Sequence, residues 1–319
     1  MNWREMKARV GARCEDAVRL SRKCTLRIGG EAALWVEPET LEELQEFARV
    51  CAASGVTPLP VGLGSNTLFP DAGVDAPVVR LAGDLARWSL VEDQGDTSLW
   101  YVGAGAVNAH LVRGLLAQGW VGAEFLTLIP GTFGGSVALN AGTKDAWISN
   151  ILESAVVVTA EGEALELSAQ DLGLAYRHSE LPPGGIVASG VVRVSSGDVD
   201  AAKGRARDDK ERRNATQPYK LASVGSTFAN PPGDYAGRLI EACDLKGHAI
   251  GGARISELHA NFFINEGDAT AADFLGLMAL ARHSVREAFG VELRPEVHFV
   301  GFDGWAELAR LEDALKGGS

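Results

Sequence analysis

The chain has 319 residues, 46% hydrophobic and 23% charged, which is long enough for two or three domains that each bury a core. A formal net charge of −12 excludes a general nucleic-acid or anionic-membrane binder, although it leaves room for a local basic pocket that takes an anionic substrate. No apolar run is long enough for membrane insertion, Met1-Asn2-Trp3-Arg4-Glu5 starts neither a signal peptide nor an anchor, and Cys14, Cys24, Cys51 and Cys243 form no CxxC pair, so a reduced cytoplasmic protein without a disulfide frame or metal site is expected.

The first twenty residues are charged and weakly helical in pattern, which suggests an N-terminal arm. Ala33-Leu34-Trp35-Val36-Glu37 reads as a strand. Thr40 then caps a helix, with Glu43 completing a capping box and Leu41, Leu44, Phe47 and Val50 or Cys51 sharing one face. An extended segment over 57–61 runs directly into Gly62-Leu63-Gly64-Ser65-Asn66-Thr67. Strand patterns follow at 78–81, 98–102, 152–159, 164–167 and 186–194, interrupted by an amphipathic helix over about 108–118. The dense run of mixed charge over 201–213 reads as a solvated helix face or hinge and marks a domain boundary. Beyond it, helices are expected over 235–243 and 270–289, the second with Phe274, Leu277, Met278, Ala281 and Val285 turned to a core. Residues 292–301 close as a strand. Strands and helices mixed without strict alternation indicate an α+β protein.

Residues 129–142 are the most informative stretch. They carry Gly131, Gly134, Gly135 and Gly142 together with Thr132, Ser136 and Asn140. One or two glycines would suffice for a tight turn. Four, with two hydroxyls and an amide, favour a loop whose backbone N–H groups meet anionic oxygens. GxGxxG, GxxxxGK[ST], HExxH and GxSxG are all absent, which removes the commonest nucleotide, zinc-protease and hydrolase readings. The two glycine-rich loops at 62–67 and 131–142 suit a long ligand with a central diphosphate, such as FAD. Three shorter clusters stand out: Tyr176-Arg177-His178-Ser179, whose guanidinium suits a bidentate grip on a carboxylate; Gly225-Ser226, a hydroxyl directly after a flexible residue; and Leu293-Arg294-Pro295-Glu296-Val297, a carboxylate within an apolar strand. Taken singly, these equally describe a surface arginine, a turn serine and a salt-bridged glutamate, and spacing alone favours that description.

From about Thr25 to Gly301 the chain resembles the UDP-N-acetylenolpyruvoylglucosamine reductase family. The resemblance rests on Thr25-Leu26-Arg27-Ile28-Gly29-Gly30, Gly62-x-Gly64-Ser65-Asn66, Ile129-Pro130-Gly131-Thr132-x-Gly134-Gly135, Asn140-Ala141-Gly142 and Tyr176-Arg177-x-Ser179. It continues through Gln217-Pro218, Gly225-Ser226-x-Phe228-x-Asn230-Pro231, His259-Ala260-Asn261-Phe262 and Pro295-Glu296-Val297. The direct passage from Gln217-Pro218 to Gly225-Ser226 resembles the family's shorter subgroup.

The resemblance implies a p-cresol methylhydroxylase-type FAD-binding fold of two subdomains, followed by a smaller α+β C-terminal substrate domain. The corresponding divisions are an arm over 1–24, an FAD-binding domain over 25–196 with subdomains of about 25–80 and 81–196, a substrate-binding domain over 200–305, and a tail over 306–319. It further implies non-covalent FAD held by Gly62, Gly64, Ser65, Asn66, Thr67, Gly131, Thr132, Gly134, Gly135, Ser136, Asn140 and Gly142. NADPH is the co-substrate, in a ping-pong reaction on UDP-N-acetylglucosamine enolpyruvate that yields UDP-N-acetylmuramate for peptidoglycan. In that reaction hydride passes from flavin N5 to C3 and a proton from Ser226 to C2. Arg177 and Glu296 match the positions that stabilise the enolate-like species, while Tyr176, Arg177, Asn230 and Glu296 match substrate contacts. The chain departs from the family pattern at Cys24, where Asn is usual, at Leu63, and at Thr143-Lys144-Asp145, which replaces the common Ala-Tyr-Gly. Lys220, six residues before Ser226, is a further candidate for the substrate diphosphate.

Overall fold

The computed structural model describes residues 3–317; the first two residues of the expected arm and the last two of the expected tail lie outside the described residues. The arm is more ordered than its composition suggests. Helix α1 (Trp3–Arg9) is followed by strand β1 (Arg13–Arg19), which the sequence does not announce because four of its seven residues are charged. Strand β2 (Glu31–Glu37) and helix α2 (Leu41–Ala53) lie where expected. The Thr40 hydroxyl accepts from Glu43 N–H at 3.3 Å, but the Glu43 carboxylate accepts from Glu39 N–H at 2.7 Å rather than from Thr40, so the capping box closes one residue upstream. Strands β3 (Leu59–Pro60), β4 (Thr67–Leu68) and β5 (Val74–Val79) follow, and the first sheet has the order β1–β2–β5–β3.

Strands β6 (Trp88–Asp93) and β7 (Thr97–Gly103), helix α3 (Asn108–Ala117), strand β8 (Trp120–Val121), helix α4 (Phe133–Ala138), and strands β9 (Leu152–Val158), β10 (Ala164–Ser168) and β11 (Ile186–Ser196) build a six-stranded sheet and its covering helices. Its path is β10–β9–β11–β7–β6, all antiparallel, with β8 added on β11. At its inner strand β9 this sheet is buried on both faces. Ala155 and Val157 of β9 enter a core with Leu111, Leu115, Phe133 and Val192, whereas Val156 and Val158 face a second core with Leu34, Leu44 and Phe47. Two apolar faces explain why 155–158 reads as an unbroken apolar run instead of an alternating one.

The charge run forms helix α5 (Val199–Thr216), in which Ala202 is the one buried residue among those described, as a solvated helix requires. Strand β12 (Ala222–Ser226), helix α6 (Ala236–Ala242), strands β13 (Ala249–Ile250), β14 (Ala253–Ile255) and β15 (Phe262–Asn265), helix α7 (Ala271–Phe289), strand β16 (His298–Phe299) and helix α8 (Gly304–Gly317) complete the chain. The expected strand over 292–301 is reduced to the two residues of β16, which pair in parallel with β4. The antiparallel sheet β12–β15–β14–β13 lies against α7 through Phe263, whose ring is 5.8 Å from Phe274 in a tilted pair and 5.8 Å from Phe228 edge to face. Thr270 and Asp273 form a complete capping box at the start of α7, and the Asp71 carboxylate accepts from Ala271 and Ala272 N–H.

Two compact units result. One comprises the residues up to Asp16, Ala33–Leu63 and Ala76–Glu211; the other comprises Ala17–Ala32, Gly64–Asp75 and Arg212 onward.

Candidate active site

In the first unit, the residues after β3 and the start of α4 meet at close range. A Cβ on Gly62 would lie 2.5 Å from Thr132 Oγ1, and one on Gly134 would lie 2.6 Å from Ala104 Cβ, so side chains are excluded at both. Around them is a cleft of about 140 Å³, lined among others by Gly62, Arg80, Gly105, Thr132, Gly134 and Gly135. The donor set is narrower than a simple glycine nest. Phe133 and Gly134 N–H already donate to the Ala106 and Ala104 carbonyls, both at 2.8 Å, and the Gly131 carbonyl accepts from Asn108 N–H. Gly135 is exposed, and a Cβ there would have only Thr132 Oγ1 within 4 Å. Ser136 faces inward: its hydroxyl donates to the Thr132 carbonyl and accepts from Asn108 Nδ2 at 2.9 Å. Arg80 had no motif to reveal it, since a lone arginine just after a strand carries no spacing signal.

Asn140 and Gly142 lead from the glycine loop to the Tyr176–Arg177 turn. Asn140 is buried, with Nδ2 donating to the Ala175 carbonyl (3.0 Å) and Oδ1 accepting from Ser149 N–H (3.1 Å). The turn is closed by reciprocal Ala175–His178 backbone hydrogen bonds and holds Arg177 at φ 55°. The Ser179 hydroxyl anchors its far end on the Ala138 carbonyl at 2.7 Å. Tyr176 is 53% exposed and Arg177 is half-buried.

In the second unit, Gly64 adopts φ 62° and packs so closely on Cys24 that a Cβ would lie 2.7 Å from its Cα and Cβ. Burial pushes the Cys24 thiol above its ordinary pKa, consistent with a packed, unreactive thiol. The Thr25–Gly30 motif is a local fastening: Thr25 donates to the Gly64 and Ser223 carbonyls, and Asn265 Nδ2 donates to the Leu26 carbonyl. Half-buried Ser65 leads into Asn66, which holds the Glu296 segment. Its Nδ2 donates to the Glu296 carbonyl at 2.9 Å, and its own carbonyl accepts from His298 N–H at 3.0 Å. Thr67 pairs with His298 in the β4–β16 ladder. Asn66 Oδ1 is buried and has no hydrogen-bond partner among the described residues.

Ser226 ends β12, directly after Gly225 at φ 78°, and is half-buried with no bond assigned to its hydroxyl among the described residues. The next three residues form a short antiparallel contact with the glutamate segment. The Thr227 carbonyl accepts from Glu296 N–H at 2.8 Å, Phe228 bridges Pro295, and Ala229 N–H donates to the Arg294 carbonyl. Glu296 is therefore half-buried beside the Ser226 strand rather than inside an apolar strand. The contact is held from behind by Asn261, whose Oδ1 accepts from Phe228 N–H (3.0 Å) and whose Nδ2 donates to the Phe228 carbonyl (2.8 Å). Replacing Asn261 by Ala strands both buried backbone groups and is expected to cost about 2–4 kcal/mol of stability, to be read as a lowered urea midpoint. An unchanged midpoint would remove Asn261 as the clamp. Asn230 Oδ1 accepts from Ala236 N–H at the start of α6, which leaves its Nδ2 as a donor.

A larger cleft of about 600 Å³ in the same unit is lined by Gln217, Tyr219, Lys220, Arg254, Ser256 and Glu257 among others. Gln217 Oε1 is buried there without a partner among the described residues. Burial raises the Tyr219 phenol pKa against the opposing effect of Arg213, whose guanidinium lies 5.2 Å from the ring, so Tyr219 remains a neutral donor. His259 is pushed toward its neutral form by burial, and its Nδ1 accepts from Asn261 N–H.

The glycine cleft, with Arg80 on its wall, fits an anionic group of a cofactor. Residues 32–168 match the family model of the FAD binding domain, and the chain is accordingly an FAD-dependent oxidoreductase. Residues 217–300 match the model of the UDP-N-acetylenolpyruvoylglucosamine reductase C-terminal domain. A relative of that name from Anaeromyxobacter dehalogenans is 44% identical over 98% of this chain and 93% of its own length. One from Myxococcus xanthus is 42% identical over 87% and 89% respectively. The crystal structure of the Thermus caldophilus UDP-N-acetylenolpyruvylglucosamine reductase is similar with a TM-score of 0.77 and 36% identity, covering 90% of this chain and 99% of that one. The chain belongs to the UDP-N-acetylenolpyruvoylglucosamine reductase family, and the expected α+β fold with an FAD-binding domain holds. No described helix is long and apolar enough to cross a membrane.

Proposed function

We infer that this chain uses NADPH to reduce the enolpyruvyl ether of UDP-N-acetylglucosamine enolpyruvate, giving UDP-N-acetylmuramate. The family assignment supports the activity, and the hydrogen bond from Glu296 N–H to the Thr227 carbonyl is the observation that carries the chemistry, since it sets the glutamate beside the Ser226 strand. FAD, when bound, supplies hydride equivalents taken from NADPH. Gly62, Thr132, Gly134 and Gly135 leave room for its diphosphate, and Arg80 offsets its charge.

The remaining work falls to side chains. Arg177 binds the substrate carboxylate in a planar fork, where negative charge accumulates as C3 is reduced. Glu296 holds a carboxylate oxygen by a hydrogen bond when protonated. Ser226 delivers its hydroxyl proton to C2, a transfer that a very weak acid can make only to a strongly basic carbanion. Tyr176 and the Asn230 amide contact substrate near these groups, and the cleft of Gln217, Tyr219 and Lys220 accepts its nucleotide end. On this reading 200–305 is the substrate-binding domain, and the enzyme works in the cytoplasm, where both nucleotide substrates are soluble.

Anaerobic stopped-flow absorbance at the flavin band tests the assignment. NADPH is expected to bleach the band and the enolpyruvyl nucleotide to restore it. Bleaching without recovery would reject this substrate while keeping the flavoprotein.

A further inference from the structure

We propose that Trp147 is a positioning residue for Arg177, holding its guanidinium plane toward the substrate carboxylate; the proposal rests on reading Arg177 as the carboxylate-binding residue. The Arg177 guanidinium carbon lies 5.6 Å from the centre of the Trp147 ring and 5.4 Å from that of Tyr176. The two rings meet edge to face, 5.6 Å apart at 72°. Arg177 Nη1 also donates to the Gly142 carbonyl at 3.4 Å. Two aromatic rings and a carbonyl thus surround one cation, with Trp147 and the Gly142 carbonyl supplied by one hairpin and Tyr176 by Arg177's own turn.

The hairpin is built to keep the indole there. Gly142 and Trp147 pair as a β-bridge, and a Cβ on Gly142 would lie 2.6 Å from indole Cδ2, so the ring rests directly on the glycine backbone. Asn140 ties this hairpin to the Arg177 turn, through the Ser149 N–H on one side and the Ala175 carbonyl on the other. Apolar burial does not account for the arrangement, because Trp147 is only half-buried and Tyr176 is more than half exposed. A guanidinium over a ring face is attracted to it and loses freedom about its long side chain, which pre-organises its fork for a carboxylate. Trp147 follows the Thr143-Lys144-Asp145 departure, and no spacing rule applied to the sequence singles it out.

Trp147→Leu keeps apolar bulk and removes the ring face, whereas Trp147→Phe keeps a face. The leucine variant is expected to slow flavin reoxidation by the enolpyruvyl nucleotide about five- to thirty-fold, with flavin reduction by NADPH unchanged. It should also weaken calorimetric binding of UDP-N-acetylmuramate by about five-fold or more. The phenylalanine variant should recover both to within about three-fold of the parent. Equal behaviour of the leucine and phenylalanine variants, or equal slowing of both half-reactions, would overturn the proposal. If the leucine variant does not fold, Trp147→Gln carries the same expectation at this half-exposed position. Arg177→Lys, measured in parallel, separates the two levels of the argument. A fully active lysine variant removes the carboxylate reading itself; a crippled one beside a normal Trp147→Leu removes only the role of Trp147.

Discussion

Ser226→Ala is expected to bleach normally with NADPH and to recover its flavin absorbance about 10³-fold more slowly when the enolpyruvyl nucleotide is added. The argument begins with what the hydroxyl does not do. Its oxygen has no structural partner among the described residues, and the strand that carries it is held by backbone pairing of β12 with β15 and by the Asn261 clamp on Phe228, two residues on. Removing one oxygen therefore leaves the fold and the flavin site as they were. What is lost, on the proposed assignment, is the proton donor to C2. The carbanion formed as C3 gains hydride must then wait for water, or collapse backward, and only the second half-reaction registers the loss. Equal slowing of both half-reactions would assign Ser226 a structural role and send the search for the acid to Glu296, a protonatable group held beside this strand.

The order of the secondary elements was largely legible because burial imposes its period on the sequence. The α2 face of Leu44, Phe47 and Cys51 and the α7 face of Phe274, Leu277, Met278, Ala281 and Val285 are buried as their spacing requires. Three kinds of element escaped. The polar strand β1 pairs at a sheet edge, where a polar composition costs little, so no periodicity marks it. Strands β4, β8 and β13 are two residues long, too short to display a period of any kind. Helix α4 runs through Gly134 and Gly135, against their propensity, because the N–H groups of Phe133 and Gly134 are taken by the Ala106 and Ala104 carbonyls and fix its first turn.

The site divides in the same way. Motif residues such as Gly62, Thr132, Ser226 and Glu296 could be named from the sequence, but their neighbours could not. The pairing of Thr227 with Glu296 joins positions 69 residues apart, a separation obtained directly from their numbers, through backbone atoms that leave no side-chain signature. Asn140 and Ser136 look like ligand contacts in a list of polar residues beside glycines. In the folded chain their side chains bond to protein groups, Asn140 to Ala175 and Ser149 and Ser136 to Thr132 and Asn108. A polar side chain in a glycine loop serves the loop's own unpaired groups as readily as a ligand's, and composition cannot distinguish the two.

Arg177→Lys is expected to reduce substrate-dependent reoxidation by about 10²-fold or more although it conserves the charge. Lysine supplies one ammonium on a flexible stem; arginine supplies two parallel N–H donors in a plane. The surroundings are shaped for the plane. The guanidinium sits 5.4–5.6 Å from two ring centres and donates sideways to the Gly142 carbonyl, and its backbone is held at φ 55° by the Ala175–His178 turn. A lysine at this position inherits the backbone constraint but presents a rounded, strongly hydrated head that cannot match both carboxylate oxygens. In the proposed mechanism the charge to be stabilised grows on that carboxylate as C3 is reduced, so the deficit should appear in kcat for the second half-reaction more than in KM. Flavin reduction by NADPH provides the internal control and should stay near the parent rate. A lysine variant that reoxidised at the parent rate would show that charge alone suffices, and the bidentate assignment of Arg177 would be withdrawn.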